Sequence, residues 1–319
     1  MKTCVEICAG AGGQALGLES AGFEPLALVE IDSHACSTLR LNRPNWNVIE
    51  GDLAKFDGTP FRGADLLAGG VPCPPFSKAG KQLGKSDERD LFPEAIRLVS
   101  EIRPKAVMLE NVRGFLDNIF EEYREDLKSQ LRDLGYRTEW RLLNASDYGV
   151  SQLRPRVAIV ALKDDLWEHF SWPTPVTKRP PTVGELLEKE MAAFGWPHAK
   201  AWSKQANQIA PTIVGGSKKH GGPDLGPTRA KRAWLELNVD GKGLANEPPH
   251  PDFEGTPKLT VPMVAQLQGF PKDWKFYGKK TPAYRQVGNA FPPPVAKAVA
   301  LQINKAISSA GYEKDLRIA

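Results

Sequence analysis

Three short stretches hold side chains whose types and spacing suit covalent or acid–base chemistry. Cys73 lies in "GGVPCPPFSKAG", between Pro72 and the pair Pro74–Pro75. Prolines fix φ and lack a backbone N–H, so this stretch is a stiff loop and not a helix or a central strand. A nucleophilic thiol needs exposure and a fixed direction, and the flanking prolines supply the direction; a lone cysteine also serves as a small buried hydrophobe. "MLENV" carries Glu110 and Asn111 at the end of an apolar run. "SQLRPRVAIV" places Gln152, Arg154 and Arg156 two apart, leading into another apolar run. On a strand, residues two apart share a face, so the spacing predicts that these three line a single site.

A fourth stretch suits a nucleotide. "VEICAGAGGQALGLESAGF" reads as strand, glycine turn and helix, with Gly10, Gly12 and Gly13 where backbone must approach a cofactor closely. Glu30, eighteen residues past Gly12, ends the next apolar run, where an acid can bind two ribose hydroxyls. Asp52 in "EGDL" ends a third, placed for an adenine amino group. Gly10, Gly12 and Ala15 also satisfy G-x-G-x-x-A, so the glycines leave both NAD and S-adenosylmethionine open.

These groups must be positioned by regular elements, and the first half of the chain supplies them. Strands are predicted over Thr3–Cys8, Pro25–Ile31, Asn47–Glu50, Ala64–Ala68, Lys105–Leu109, Arg137–Leu143 and Val157–Leu162. Helical patterns lie between them at Gln14–Ala21, Ser33–Asn42, Asp90–Ile102 and Phe120–Leu134. Alternation of this kind predicts an α/β fold with a parallel sheet covered on both faces. Ligands of such sheets bind beyond the carboxyl ends of the strands, where Cys73, Glu110 and the glycine turn all fall. After about Lys163 the texture changes. Residues 171–258 hold 12 of the 27 prolines, and the pattern predicts a smaller, irregular second domain with little helix. Periodic sequence resumes near Val261, and a final helix is predicted over Pro294–Ser309.

The 319 residues carry a net charge of +4, but Lys200–Arg232 alone has seven Lys/Arg against one acid, Asp224. Such a local excess suits a polyanion, and a solvated basic loop fits it as well. The four cysteines (Cys4, Cys8, Cys36, Cys73) have no metal-type spacing and are expected to be reduced thiols of a cytoplasmic protein, with no disulfide and no metal. No apolar run approaches the roughly 18 residues of a membrane span, and the opening residues do not resemble a secretory signal.

The glycine turn, the PC-x-x-F-S loop, ENV, Q-x-R-x-R and the late "RQVGNAFPPPVA" occur in the order found in the bacterial-type DNA cytosine-5 methyltransferases. The resemblance runs from Ile7 to Ala296 with a gap over about 165–257, where that family has its variable target-recognition region. It implies a Rossmann-like S-adenosylmethionine-dependent methyltransferase sheet over residues 1–165, a recognition domain over 166–281 and a C-terminal helix, 282–319, returning to the first. Cys73 matches the family's nucleophile, which adds to carbon 6 of a flipped-out cytosine. Glu110 matches the acid that holds N3 and the amino group, Arg156 the residue at O2, and Arg154 the one beside the nucleophile and the phosphate backbone. S-Adenosylmethionine, leaving as S-adenosylhomocysteine, falls to Cys8, Ala9, Gly10, Gly12, Gly13, Glu30, Ile31, Asp52, Leu53 and Asn289. Duplex DNA falls to Ser77, Gln152, Lys218, Lys219, Arg229 and Arg232, with Lys200–Arg232 expected to reach it from the side opposite the catalytic loop. Gly288 matches a structural glycine. Three positions depart from the family pattern: Cys8 replaces an aromatic residue, Ile31 a bulkier one and Pro74 a glutamine.

A monomer is expected, paired at most functionally with a restriction endonuclease. The alternatives are a transfer-RNA methyltransferase, whose variable region is usually short, and a non-catalytic DNA-binding relative, which would lose Cys73 or Glu110. A zinc deaminase is excluded because "PCPPF" lacks the second cysteine of P-C-x-x-C.

Overall fold

The computed structural model describes residues 1–72, 90–216 and 222–318, with side chains to 310. Contacts divide the chain into two units. One comprises Met1–Leu143, Pro155–Thr174 and Val295–Ala319; the other Asn144–Arg154 and Pro175–Pro294. The contact boundaries thus fall at 174 and 294, where the change of composition and the late motif suggest 165 and 281.

The first unit is built on seven strands: β1 (Lys2–Ile7), β2 (Phe23–Glu30), β3 (Val48–Glu50), β4 (Leu66–Gly69), β5 (Ala106–Val112), β6 (Tyr136–Asn144) and β7 (Pro155–Lys163). Their order across the sheet is β3-β2-β1-β4-β5-β7-β6. β1 to β5 pair in parallel. The central strands read as apolar runs buried on both faces, as a covered parallel sheet requires: Leu66–Ala68 are wholly buried, as are Val157–Leu162 to within 1%. The expectation of an all-parallel sheet needs one correction, because β5 and β7 are antiparallel, with Val112 opposite Arg156 and Glu110 opposite Ala158. β7 starts where β5 ends, so the beginning of one strand meets the end of the other. A parallel β7 would have sent Arg156 to the far edge of the sheet.

Helices α1 (Gly13–Ser20), α2 (Ser33–Asn42), α3 (Phe92–Ile102), α4 (Glu121–Asp133) and the short α5 (Asp164–Trp167) belong to this unit. α3 buries Phe92, Ala95, Leu98, Val99 and Ile102, a stripe at helical spacing. Pro93 in its first turn fits the start, and Arg103 at φ 50° ends it in the left-handed region. Far along the chain, Asn304 donates to the Ala21 carbonyl at 2.8 Å and accepts from Lys2 Nζ at 2.8 Å. These bonds hold the last helix against the start of the sheet.

The second unit is more helical than its prolines suggest. It contains α6 (Val183–Met191), α7 (Ala199–Gln205), α8 (Thr228–Glu236), α9 (Val261–Leu267) and α10 (Lys280–Asn289), before α11 (Pro293–Ile318) carries the chain into the first unit. These five helices are only seven to ten residues long. Apolar periodicity over so few residues is easily lost among prolines, several of which sit at starts, as Pro262 does in α9. α6 opens with a capping box between Thr182 and Glu185. It touches α7 where Gly184 lies so close to the Ser203 carbonyl that a Cβ would come within 1.9 Å. Trp202 and Trp234 are buried to 2% and 0% exposure and anchor the core of this unit.

Candidate active site

At the carboxyl edge of the sheet, the segment after β1 turns sharply. Cys8, Gly10 and Gly12 all have positive φ (50°, 54° and 89°). Such angles are routine for glycine and strained for cysteine. A Cβ built on Gly10 would meet nothing within 4 Å, so the turn presents an open face. Glu30, at the end of β2, fixes the turn from beneath. Its Oε2 accepts the Gly10 N–H at 2.7 Å, and its Oε1 accepts those of Ile31 and Asp32 at 2.9 and 2.8 Å. Burial pushes the Glu30 carboxyl above its usual pKa, and these three amides oppose the shift. Oε2, with a single amide on it, keeps a lone pair that can accept a hydroxyl.

Ile31 is 68% exposed beside it. Asp52 follows β3 and accepts the Ala54 N–H at 3.0 Å from an otherwise exposed position, with Leu53 buried next to it. The register sets Glu30 beside Glu50, so Glu30 and Asp52 leave the sheet from adjacent strands. Ala9 is buried and hydrogen-bonded to Val29, and Gly13 opens α1. The residues present therefore fit an adenosine group: an open glycine turn, an acid for ribose hydroxyls and a second acid one strand further out.

The second part of the site forms on β5 and β7. Arg156 Nε lies 2.7 Å from Glu110 Oε1, with both side chains only 12–13% exposed. Burial holds the Arg156 pKa below its usual value, and the Glu110 charge and hydrogen bond oppose that shift only in part. The other Glu110 oxygen faces Gly70: a Cβ on that glycine would sit 3.5 Å from it and 3.9 Å from the Cys8 carbonyl. The ends of β1, β4 and β5 thus converge, three residues before Cys73. Asn111 turns its Oδ1 to the Val112 N–H at 2.8 Å, and its buried Nδ2 has no hydrogen-bond partner among the described residues.

Cys73 itself, with Ser77, Lys218 and Lys219, lies outside the described residues. Burial pushes the thiols of Cys4, Cys8 and Cys36 up, that of Cys36 to about 12. None of these three is an activated nucleophile.

Gln152 and Arg154 do not join Arg156, contrary to the two-residue spacing. β7 begins only at Pro155, so the face rule has no strand to act on. Both side chains are fully buried within the second unit. Arg154 donates to the carbonyls of Ile213 and Gly288 at 2.7 Å and of Ala290 at 3.1 Å. Gln152 accepts the Ile213 N–H at 2.8 Å and donates to Gln268 Oε1 at 2.5 Å, while Gln268 reaches the Ala290 carbonyl at 2.6 Å. Completely buried, with both Arg154 Nη atoms bonded to carbonyls, these side chains are placed to hold loops together. Asn289 ends α10 in the same unit, its Nδ2 donating to Gly216. Arg229 and Arg232 are exposed on α8. Sequence reasoning passes over Gly70 and Gln268; the double glycine before "VPC" is the one signal that could have marked the first.

Among the described residues no group of His, Cys, Asp and Glu is arranged to hold a metal, and no helix is long and apolar enough to cross a membrane.

The sheet and this edge define a Rossmann-like methyltransferase fold. A solved structure of a proposed DNA modification methyltransferase encoded within an E. coli prophage superposes with a TM-score of 0.69 at 22% identity, covering 97% of this chain and 100% of that one. The Spodoptera frugiperda DNMT2 mutant follows at 0.65 and 18% identity, covering 95% and 100%. The family model for C-5 cytosine-specific DNA methylases matches residues 2–305. The Type II methyltransferase M.NgoMIV of Neisseria gonorrhoeae is 59% identical over 308 residues, 96% of this chain and 98% of that protein. M.NaeI of Lentzea aerocolonigenes is 56% identical over 317 residues, 98% of this chain and 76% of the relative. The chain belongs to the C-5 cytosine-specific DNA methylase family and is a DNA (cytosine-5)-methyltransferase.

Proposed function

We propose that this enzyme methylates carbon 5 of a cytosine flipped out of a specific duplex sequence, through a covalent bond to Cys73, as the modification enzyme of a Type II restriction–modification system. The observation that carries the reading is the buried Glu110–Arg156 pair at the sheet edge where the "PCPPFS" loop departs. Carbon 5 of cytosine is a poor nucleophile. Addition of the Cys73 thiolate to carbon 6 makes carbon 5 enamine-like; Glu110, which takes up a proton as the base enters beside it, passes that proton to N3, which takes up the electron pair displaced into the ring. Arg156 keeps Glu110 oriented and donates to the cytosine O2. S-Adenosylmethionine supplies the methyl group from its sulfonium and departs as S-adenosylhomocysteine. Loss of the carbon-5 proton then re-forms the 5,6 double bond and expels Cys73.

Gly10, Gly12 and Gly13 leave room for the cofactor, Glu30 binds its ribose and Asp52 its adenine, with Cys8, Ala9, Ile31 and Leu53 lining the cleft. The base must leave the stack, at a cost of a few kcal/mol. Ser77, Lys218, Lys219, Arg229 and Arg232 are assigned to duplex DNA; the polarity and exposure of the two arginines support this. Gln152, Arg154 and Asn289 are assigned to positioning.

The test is mechanism-based trapping on duplexes carrying 5-fluorocytosine, whose fluorine cannot leave as a proton does. The wild-type protein should form a denaturation-resistant adduct in the presence of the cofactor, and Cys73→Ser should form none while still binding DNA. An adduct that persists in Cys73→Ser would assign the nucleophile elsewhere.

A further inference from the structure

Resting on that reading, the recognition unit offers one surface with the shape and charge of a base-reading element. α8 turns Trp234 (0% exposed) inward with Ala230 half-buried, and exposes Thr228, Arg229, Arg232, Leu235 and Glu236. Neither arginine has an ion pair or hydrogen bond with a described residue, and they stand one turn apart. The lysine between them behaves differently. Lys231 Nζ lies 2.8 Å from Asp224 Oδ2, Asp224 also accepts the Gly226 N–H at 3.0 Å, and the Lys231 stem packs against Gly241. A Cβ on Gly241 would meet it at 3.3 Å. One cation therefore ties the helix to the loop before it, while the two guanidiniums are left to solvent within the most basic stretch of the chain.

We propose that α8 enters the major groove and that Arg229 and Arg232 are the specificity-determining residues, each reading one guanine through its O6 and N7, with Lys231 as the residue that positions the helix. The arginine fork matches those two acceptors. Three residues along a helix rise about 4.5 Å, close to the base-pair step of about 3.4 Å. The two guanines therefore belong to adjacent base pairs of the recognised sequence. The surrounding short helix is anchored by a buried tryptophan, which gives the readers a rigid base.

The experiment starts with methylation sequencing of DNA from cells expressing the chain, which defines the duplex to use. A recognised sequence without guanines in two adjacent pairs overturns the proposal at once. Otherwise each guanine is replaced singly by 7-deazaguanine, which lacks the N7 acceptor, and kcat/KM for methylation is measured. Wild type should lose about ten- to a hundred-fold at two adjacent positions. Arg229→Ala and Arg232→Ala should each abolish the loss at one of them and leave the other intact. Lys231→Met should shrink both losses together, and Lys231→Arg should keep them. If the 7-deaza losses are the same in wild type and both arginine variants, or if Lys231→Met removes one loss alone, the assignment is wrong. Trapping of the wild-type protein on 5-fluorocytosine within the same duplex keeps this outcome separate from a failure of the catalytic reading.

Discussion

At the scale of single residues, the fold places two carboxylates in different electrostatic settings. Glu110 is paired with a guanidinium at 2.7 Å, and Glu30 is held by three amides without a cation. Glu110→Gln keeps the shape and the hydrogen bonds but cannot deliver a proton to N3. It should lower kcat by about 100-fold or more, the scale of a lost general acid, and leave cofactor affinity near wild type in calorimetry. Equal losses in both would make Glu110 a structural acid. In its proposed role Glu30 is ionised to accept ribose hydroxyls, and burial raises its pKa above the usual value. A raised pKa means that the protonated form persists to higher pH. Cofactor binding should therefore weaken as the pH drops through that raised value, with the midpoint above that of an ordinary glutamate. In Glu30→Gln this pH dependence should vanish while affinity is reduced throughout; titration calorimetry from pH 5 to 8 follows both. Glu30 and Glu110 were legible because each ends an apolar run. Arg154 was not, because spacing by two carries meaning only on a strand, and β7 starts one residue after it.

Between elements, the antiparallel entry of β7 is what brings Arg156 to Glu110. The strands themselves were readable from their apolar runs, but direction was not, because hydrophobicity along a strand is the same read either way. In the second unit the helices were hidden by their shortness, and the close contacts that join its segments involve glycines with no side-chain signal. A Cβ on Gly288 would lie 2.4 Å from the Gly215 Cα, with backbone on both sides and no flexible group to yield. Gly288→Ala should therefore force α10 and the 211–216 segment apart and destabilise the protein by about 1–3 kcal/mol, read as a lower urea midpoint. Weaker DNA binding with unchanged S-adenosylhomocysteine binding should accompany it. A midpoint equal to wild type would show that this contact can relax.

For the whole molecule, the sequence divides its tasks as the contacts divide the chain. The glycine turn, Glu30 and the Glu110–Arg156 pair lie in the first unit, and the exposed Arg229 and Arg232 of the basic stretch lie in the second. Order of motifs along the chain was enough to recognise the family, since motif order survives where boundaries blur. The base sequence read by the second unit was not legible, because loops and short helices follow no general code. The claim that unites the two units is that cytosine in duplex DNA receives a methyl group on carbon 5. It is tested most directly by incubating the protein with unmethylated duplex DNA bearing the sequence it modifies and methyl-labelled S-adenosylmethionine, then digesting the DNA to nucleosides for mass spectrometry. Label should appear in 5-methyldeoxycytidine alone and be absent with Cys73→Ser. Label in N4-methyldeoxycytidine or N6-methyldeoxyadenosine, or label taken up by transfer RNA and not by DNA, would contradict it.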